Sequence, residues 1–243
     1  MGKQENLTLL ENGQIPERYQ GNISLIGIAG QKRLLNAKVA IIGVGGLGGT
    51  IIELLARQGV GYLRVIDGDF FTAQNLNRQM LATELSLGIN KAEAAISRIA
   101  IINSDVYAEA VPKMLQEGNA QELLFGMHVV VDALDNISTR LLVSKTAQRL
   151  GIPLVHGAIA GFAGQVTTVL PTNRGLEKIY MAAVASDTTI EKLLGNPAAT
   201  PALVAAIQAQ EVIKLLTAIG ETLSGRLLHF NSKRNIYRIF DLD

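Results

Sequence analysis

The chain contains no cysteine among its 243 residues. A four-thiolate zinc site, a disulfide and an acyl thioester on the chain itself are therefore excluded by composition, and no cysteine pairing reveals the redox compartment. An excess of either charge is also lacking: 22 Lys and Arg against 21 Asp and Glu leave +1, which gives no electrostatic case for nucleic acid or an anionic membrane. No apolar run approaches the ~20 residues that span a bilayer. Residues 1–6 (Met-Gly-Lys-Gln-Glu-Asn) lack the apolar core of a secretory signal, and Asn6 stands where a myristoylation pattern prefers Ser or Thr. The expectation is a cytoplasmic protein with no membrane or nucleic-acid partner.

Histidine is scarce as well. His128 and His229 fall in apolar strands and read as structural, whereas His156 ends a strand near the site described next, as a candidate substrate contact or general acid/base.

With 48% of its residues hydrophobic, the chain can bury a sizeable core. Helix and strand signals alternate: strand 38–42, helix 47–58, strand 62–66, helix 90–102, strand 106–111, helix 117–125, strand 128–134, helix 136–150 and strand 152–156. A strand at 165–170 follows too closely for a crossover helix and should run antiparallel. A helix over 201–219 and a hairpin at 226–230 and 235–240 close the chain. The expected fold class is α/β, a Rossmann-like doubly wound, mostly parallel sheet with antiparallel C-terminal strands. The expected organisation is one unit, with a nucleotide-binding core over 1–170 followed by a connection, long helix and hairpin over 171–243.

Residues 43–48 (Gly-Val-Gly-Gly-Leu-Gly) leave the first strand and open a helix. Gly43 permits the turn, Gly45 or Gly46 lets backbone approach a phosphate, and Gly48 lets the helix pack on the sheet. The helix N-terminus favours an anion there. Asp67 follows Gly43 at close to the ~20-residue spacing that places a carboxylate on a ribose hydroxyl, with Asp69 beside it. This much also fits a nicotinamide-dependent oxidoreductase. A second carboxylate with Arg78 and Lys91 close behind fits phosphoryl or nucleotidyl transfer better, because cations must meet developing phosphate charge and a carboxylate must hold a metal. Asp135, at the end of another apolar strand, supplies the metal ligand.

These residues, with Asn75-Leu-Asn-Arg-Gln79, Lys91 in Gly-Ile-Asn-Lys-Ala, and Asp135-Asn136, resemble the ubiquitin-activating-enzyme-like superfamily, within it the ThiF/MoeB/HesA group. The resemblance spans most of residues 18–243. It implies attack of a carboxylate on the α-phosphate of Mg-ATP, giving an acyl-adenylate and pyrophosphate. It implies a glycine loop (Gly43, Gly45, Gly46, Gly48) under the phosphates, Asp67 on the ribose with Asp69 beside it, and Asn75, Arg78 and Lys91 on phosphate. Asp135 would hold Mg2+, with Asn136 adjacent, and Arg78, Lys91 and Asp135 would be the catalytic set. It also implies a homodimer, a covering connection over 172–200, and a ubiquitin-like sulfur-carrier protein whose C-terminal glycine is activated. A small-molecule or peptide carboxylate, the oxidoreductase, and a nucleotide-binding pseudoenzyme are the alternatives.

Two departures from the group's pattern stand out. Its N-terminal arginine, which reaches the partner subunit's phosphates, is missing from Arg18-Tyr-Gln-Gly-Asn22, leaving Arg18 either as a shifted substitute or as an exposed residue on a loose N-terminus. The cysteines that bind zinc or form a thioester in relatives are missing too, so no structural zinc is expected.

Overall fold

The central strands set the architecture. β1 (Lys38–Ile42) and β4 (Val129–Asp132) are buried at every position except Lys38, and strands apolar on both faces require helices on both sides. They lie in a sheet with β2 (Tyr62–Ile66), β3 (Tyr107–Val111), β5 (Leu154–Ala160), β6 (Ala163–Val169), β7 (Arg226–Asn231) and β8 (Ile236–Asp241). The computed structural model describes residues 2–173, 175–180 and 194–242. The strand order is β3-β2-β1-β4-β5-β6-β7-β8, parallel from β3 to β5 and antiparallel from there on.

Alternation along the strands separates two cores. Val39, Ile41, Leu63, Val65 and Val131 pack with α3 (Gly48–Gln58), α4 (Lys91–Ile102) and α8 (Ala199–Thr217). Ala40, Ile42, Ile66, Val130 and Leu154 pack on the other face with α5 (Ala120–Leu124), α6 (Ile137–Arg149) and α7 (Glu177–Tyr180). The apolar face of α8 is core: Val204, Ala205, Ala209 and Val212 are buried.

The N-terminus is not loose. α1 (Lys3–Glu11) and α2 (Gln20–Asn36) are joined by a small core of Leu7, Leu10, Tyr19 and Leu35. Two strands differ from expectation. β4 stops at Asp132, short of Asp135, where the Asp132 carboxylate accepts from the Leu134 N–H (3.0 Å) in place of a ladder partner. β5 continues to Ala160, so His156 lies inside it. Of the connection expected to cover the site, residue 174 and residues 181–193 lie outside the described residues. Among the described residues no helix is long and apolar enough to cross a membrane.

Candidate active site

Val111, Ile66, Ile42, Asp132 and His156 lie level across β3, β2, β1, β4 and β5. The carboxyl ends of these strands therefore open on one edge, and the order reverses between β1 and β4, where open α/β sheets bind ligands. Gly43 leaves β1 with φ of 95°, and a Cβ there would stand 2.7 Å from the Ala133 carbonyl oxygen. At Gly48 a Cβ would lie 1.9 Å from the Gly43 oxygen, so no side chain fits where α3 begins. Gly45 has only Gln79 Nε2 nearby, at 3.9 Å, and its backbone faces the crevice, while Gly46 rests against Pro201.

The acidic tip of β2 is tied to this turn. Val44 N–H donates to Asp67 Oδ2 (2.7 Å) and Asp69 N–H to Asp67 Oδ1 (2.8 Å). Burial pushes the Asp67 carboxyl above its usual range, opposed by these two donors and by Lys91. Each carboxylate oxygen has two lone pairs, so a sugar hydroxyl can still be accepted.

Asn90 then sets the lysine. Its side chain caps α4, accepting from Ala92 N–H (2.9 Å) and Glu93 N–H (3.2 Å), and donates to the carbonyls of Asp67 (3.2 Å) and Asp69 (3.0 Å). The next residue, Lys91, is buried, with Nζ 3.2 Å from Asp69 Oδ2.

Two small cavities meet at Asp135. One, of about 120 Å³, is lined by Gly43, Gly45, Asp67, Asp69, Lys91, Lys113, Met114, Asp135 and Asn136. The other, of about 80 Å³, is lined by Gly46, Leu47, Arg78, Asp135, Arg140, Ile159 and Asn196. Both are below the ~300 Å³ of ordinary small-molecule pockets, so a nucleotide must extend over the rim. A larger cleft of about 450 Å³, near Thr167, Asn173 and Lys178, lies at the opposite sheet edge, beside the end of β6 that pairs with the start of β5. Among the described residues its lining includes no carboxylate, so its volume does not outweigh the chemistry at Asp135.

The expected residues are thus mostly brought together. Arg78 lines the second cavity, its guanidinium donating to the Gln74 carbonyl (3.1 Å) and Asn77 Oδ1 (2.9 Å). Asn136 caps α6, accepting from Thr139 N–H (2.9 Å). Asn75 lines neither cavity; its side-chain oxygen accepts from Thr72 N–H (3.0 Å) and closes a short 3-10 turn. Gly48 acts through packing rather than exposure. Arg18 donates to the Ile102 carbonyl (2.8 Å) at the far end of α4 from Lys91, so it does not reach its own crevice.

The profile of the ThiF family matches residues 19–243. The chain belongs to the ThiF family. Among its ThiF relatives, the SAMP-activating enzyme E1 of Haloferax volcanii is 39% identical over 219 residues, 89% of this chain and 81% of that protein. The sulfur carrier protein adenylyltransferase of Thermus thermophilus is 36% identical over 231 residues, 91% and 85% of the two chains. The crystal structure of E. coli MccB with ATP superposes with a TM-score of 0.79 at 22% identity, covering 97% of this chain and 76% of that one. That likeness concerns the fold.

Not every polar residue of this ThiF-family site was foreseeable. His156 is fully buried and lines neither cavity, which removes it as a substrate contact or acid/base. It bridges Asp132 and Tyr180 instead, at 2.7 and 3.1 Å. His128 accepts from Lys38 N–H (3.1 Å), the structural role expected of it. Lys113 and Met114, just beyond β3, line the first cavity with no motif to announce them.

Proposed function

We propose that the chain is an ATP-dependent adenylyltransferase that activates a carboxylate as its acyl-adenylate, releasing pyrophosphate. The single observation that carries this reading is the meeting of the two cavities at Asp135: Gly45, Asp67 and Lys91 line one, Arg78 the other. In this reading ATP lies in the first cavity and over its rim with its phosphates running toward Arg78 in the second, and the carboxylate arrives beside Asp135 from the open edge. The carboxylate oxygen bonds to the α-phosphorus as the bond to the bridging oxygen of pyrophosphate breaks, and the leaving group takes the electron pair. No proton has to move, so a histidine base is unnecessary.

The chain's own residues would supply position and charge. Asp67 would accept from the ribose, Gly43, Gly45, Gly46 and Gly48 would let backbone lie under the phosphates, and Lys91 would exchange Asp69 for phosphate. Asn75 would need to turn its amide toward phosphate. Arg78 and Lys91 would offset charge growing on the leaving pyrophosphate. Mg2+, which neutralises phosphate charge, suits Asp135, because it takes oxygen ligands from one or two carboxylates together with substrate phosphates. Among the described residues no group of three or more His, Asp or Glu forms a ready-made metal cage, which agrees with a metal shared with ATP.

The proposed substrate is the C-terminal glycine of a ubiquitin-like sulfur carrier, by analogy with the two relatives above 35% identity. Because there is no cysteine, no enzyme thioester follows. We further read the chain as a cytoplasmic homodimer acting as one adenylation unit. Phe70, Leu76, Met80, Leu85, Leu87 and Ile89, all exposed in the segment between β2 and α4, would support such an interface. Exchange of labelled pyrophosphate into ATP, dependent on a carrier ending in Gly-Gly, tests the assignment. Exchange supported equally by a carrier lacking its last glycine would contradict the substrate.

A further inference from the structure

Asp135 is exposed, yet Leu134, which leads into it, is gripped at both its backbone N–H and its carbonyl by buried charge. Leu134 N–H donates to Asp132 Oδ1 (3.0 Å), and the Leu134 carbonyl accepts from Arg140 Nη2 (2.5 Å). Asp132 and Arg140 are 0% and 2% exposed. The remaining oxygen of Asp132, Oδ2, meets His156 Nδ1 at 2.7 Å, His156 Nε2 meets the Tyr180 hydroxyl at 3.1 Å, and that hydroxyl accepts from Arg140 Nη1 at 3.1 Å. Asp132, His156, Tyr180, Arg140 and the Leu134 peptide thus form a closed ring, and Gln208 donates to the Asp132 carbonyl from α8 (2.8 Å).

The chemistry of this ring is unambiguous in direction. Burial pushes His156 below its ordinary value, with Arg140 acting the same way and Asp132 opposing them. A neutral imidazole beside a carboxylate carries its hydrogen on Nδ1, so Nε2 accepts from the tyrosine hydroxyl, which in turn accepts from Arg140 and from Gln165 Nε2 (3.3 Å). Each hydrogen bond of the loop then has one donor and one acceptor. Burying such a set gains little stability over apolar residues of the same volume. What it supplies is a fixed peptide at the mouth of both cavities.

We propose that His156 and Tyr180 are positioning residues for Asp135, holding the Leu134 peptide so that the Asp135 carboxylate points to the place where metal and α-phosphate meet. This rests on the adenylation reading above. Groups that orient a metal-binding side chain typically change metal affinity or activity by about 10–100-fold when lost. His156→Leu, which removes both contacts, and Tyr180→Phe, which removes one hydroxyl with little change in volume, should each lower pyrophosphate exchange at least about tenfold. His156→Asn, whose amide can still donate to Asp132, should recover most of that loss.

Turnover alone would not separate positioning from general damage. The deciding readout is nucleotide affinity by calorimetry, with Mg2+ and with EDTA. In the wild-type protein Mg2+ should tighten ATP binding. In Tyr180→Phe and His156→Leu the affinity in EDTA should stay within about twofold of wild type, while the gain from Mg2+ shrinks about tenfold. Equal weakening in both conditions, or an undiminished gain from Mg2+ in folded Tyr180→Phe, would overturn the proposal. A wild-type protein with neither exchange nor any effect of Mg2+ on ATP affinity would overturn the adenylation reading beneath it as well.

Discussion

Lys91 Nζ lies 3.2 Å from Asp69 Oδ2, with the lysine side chain 9% exposed and the aspartate 60% exposed. The cation is therefore held inside the crevice by a partner at its rim. An entering phosphate can replace that partner without the lysine having to move, which is how a preplaced charge stabilises a transition state at little reorganisation cost.

Loss of Lys91 or Arg78 should consequently act on turnover more than on ATP binding. Lys91→Ala and Arg78→Ala are expected to lower the exchange rate by about 10²–10³-fold, the size seen when one preorganised donor is removed. Lys91→Ala also leaves Asp69 facing the phosphates, so its ATP affinity should fall and should recover in the double variant with Asp69→Asn, while turnover does not. Steady-state kinetics and calorimetry on the three proteins check this. If only the ATP KM rose, both cations would be ground-state binders.

Asp135 and Asp132 stand three residues apart but should behave oppositely. Asp135→Ala changes an exposed side chain, so stability should move by no more than about 0.5 kcal/mol, whereas adenylate formation should vanish. Asp132→Ala takes the buried acceptor away from Leu134 N–H and His156 Nδ1 and should cost about 1–3 kcal/mol. Urea unfolding of both variants, with exchange measured on Asp135→Ala, separates the roles.

Acid should expose the buried histidine. Its folded pKa is depressed, because burial and Arg140 outweigh Asp132, while the Tyr180 hydroxyl is an uncharged neighbour. The unfolded chain takes up a proton near the ordinary value of about 6.5 that the folded protein resists, so the unfolded state binds more protons and stability falls as pH drops below that value. Urea midpoints from pH 7.5 to 5 should decline in the wild type and decline less in His156→Asn. Parallel declines would place the titration elsewhere.

The crevice was legible in the sequence because its parts are local. Gly43 to Gly48, Asp67 and Lys91 each follow directly from a strand or precede a helix, and their spacing carries the geometry. The ring behind Asp135 was not legible, because Asp132, Arg140, His156 and Tyr180 come from four separate elements and each alone reads as ordinary. The end of β4 was misjudged for a related reason: 128–134 is apolar throughout except at His128 and Asp132, and only the Asp132 side-chain bond to Leu134 N–H shows where the ladder stops. α1 escaped notice because its polar sequence buries only Asn6, Leu7 and Leu10; the two leucines find partners only once Tyr19 and Leu35 are folded beneath them, and Asn6 only at Asp105, 99 residues away.

Denaturing mass spectrometry after incubation with ATP, Mg2+ and a carrier ending in Gly-Gly tests the central claim most directly. The account predicts unmodified enzyme beside a carrier heavier by one adenylyl group, since no cysteine exists to take the acyl group. An ATP-dependent covalent adduct of enzyme and carrier, or a carrier left unmodified by enzyme that binds Mg-ATP, would contradict it.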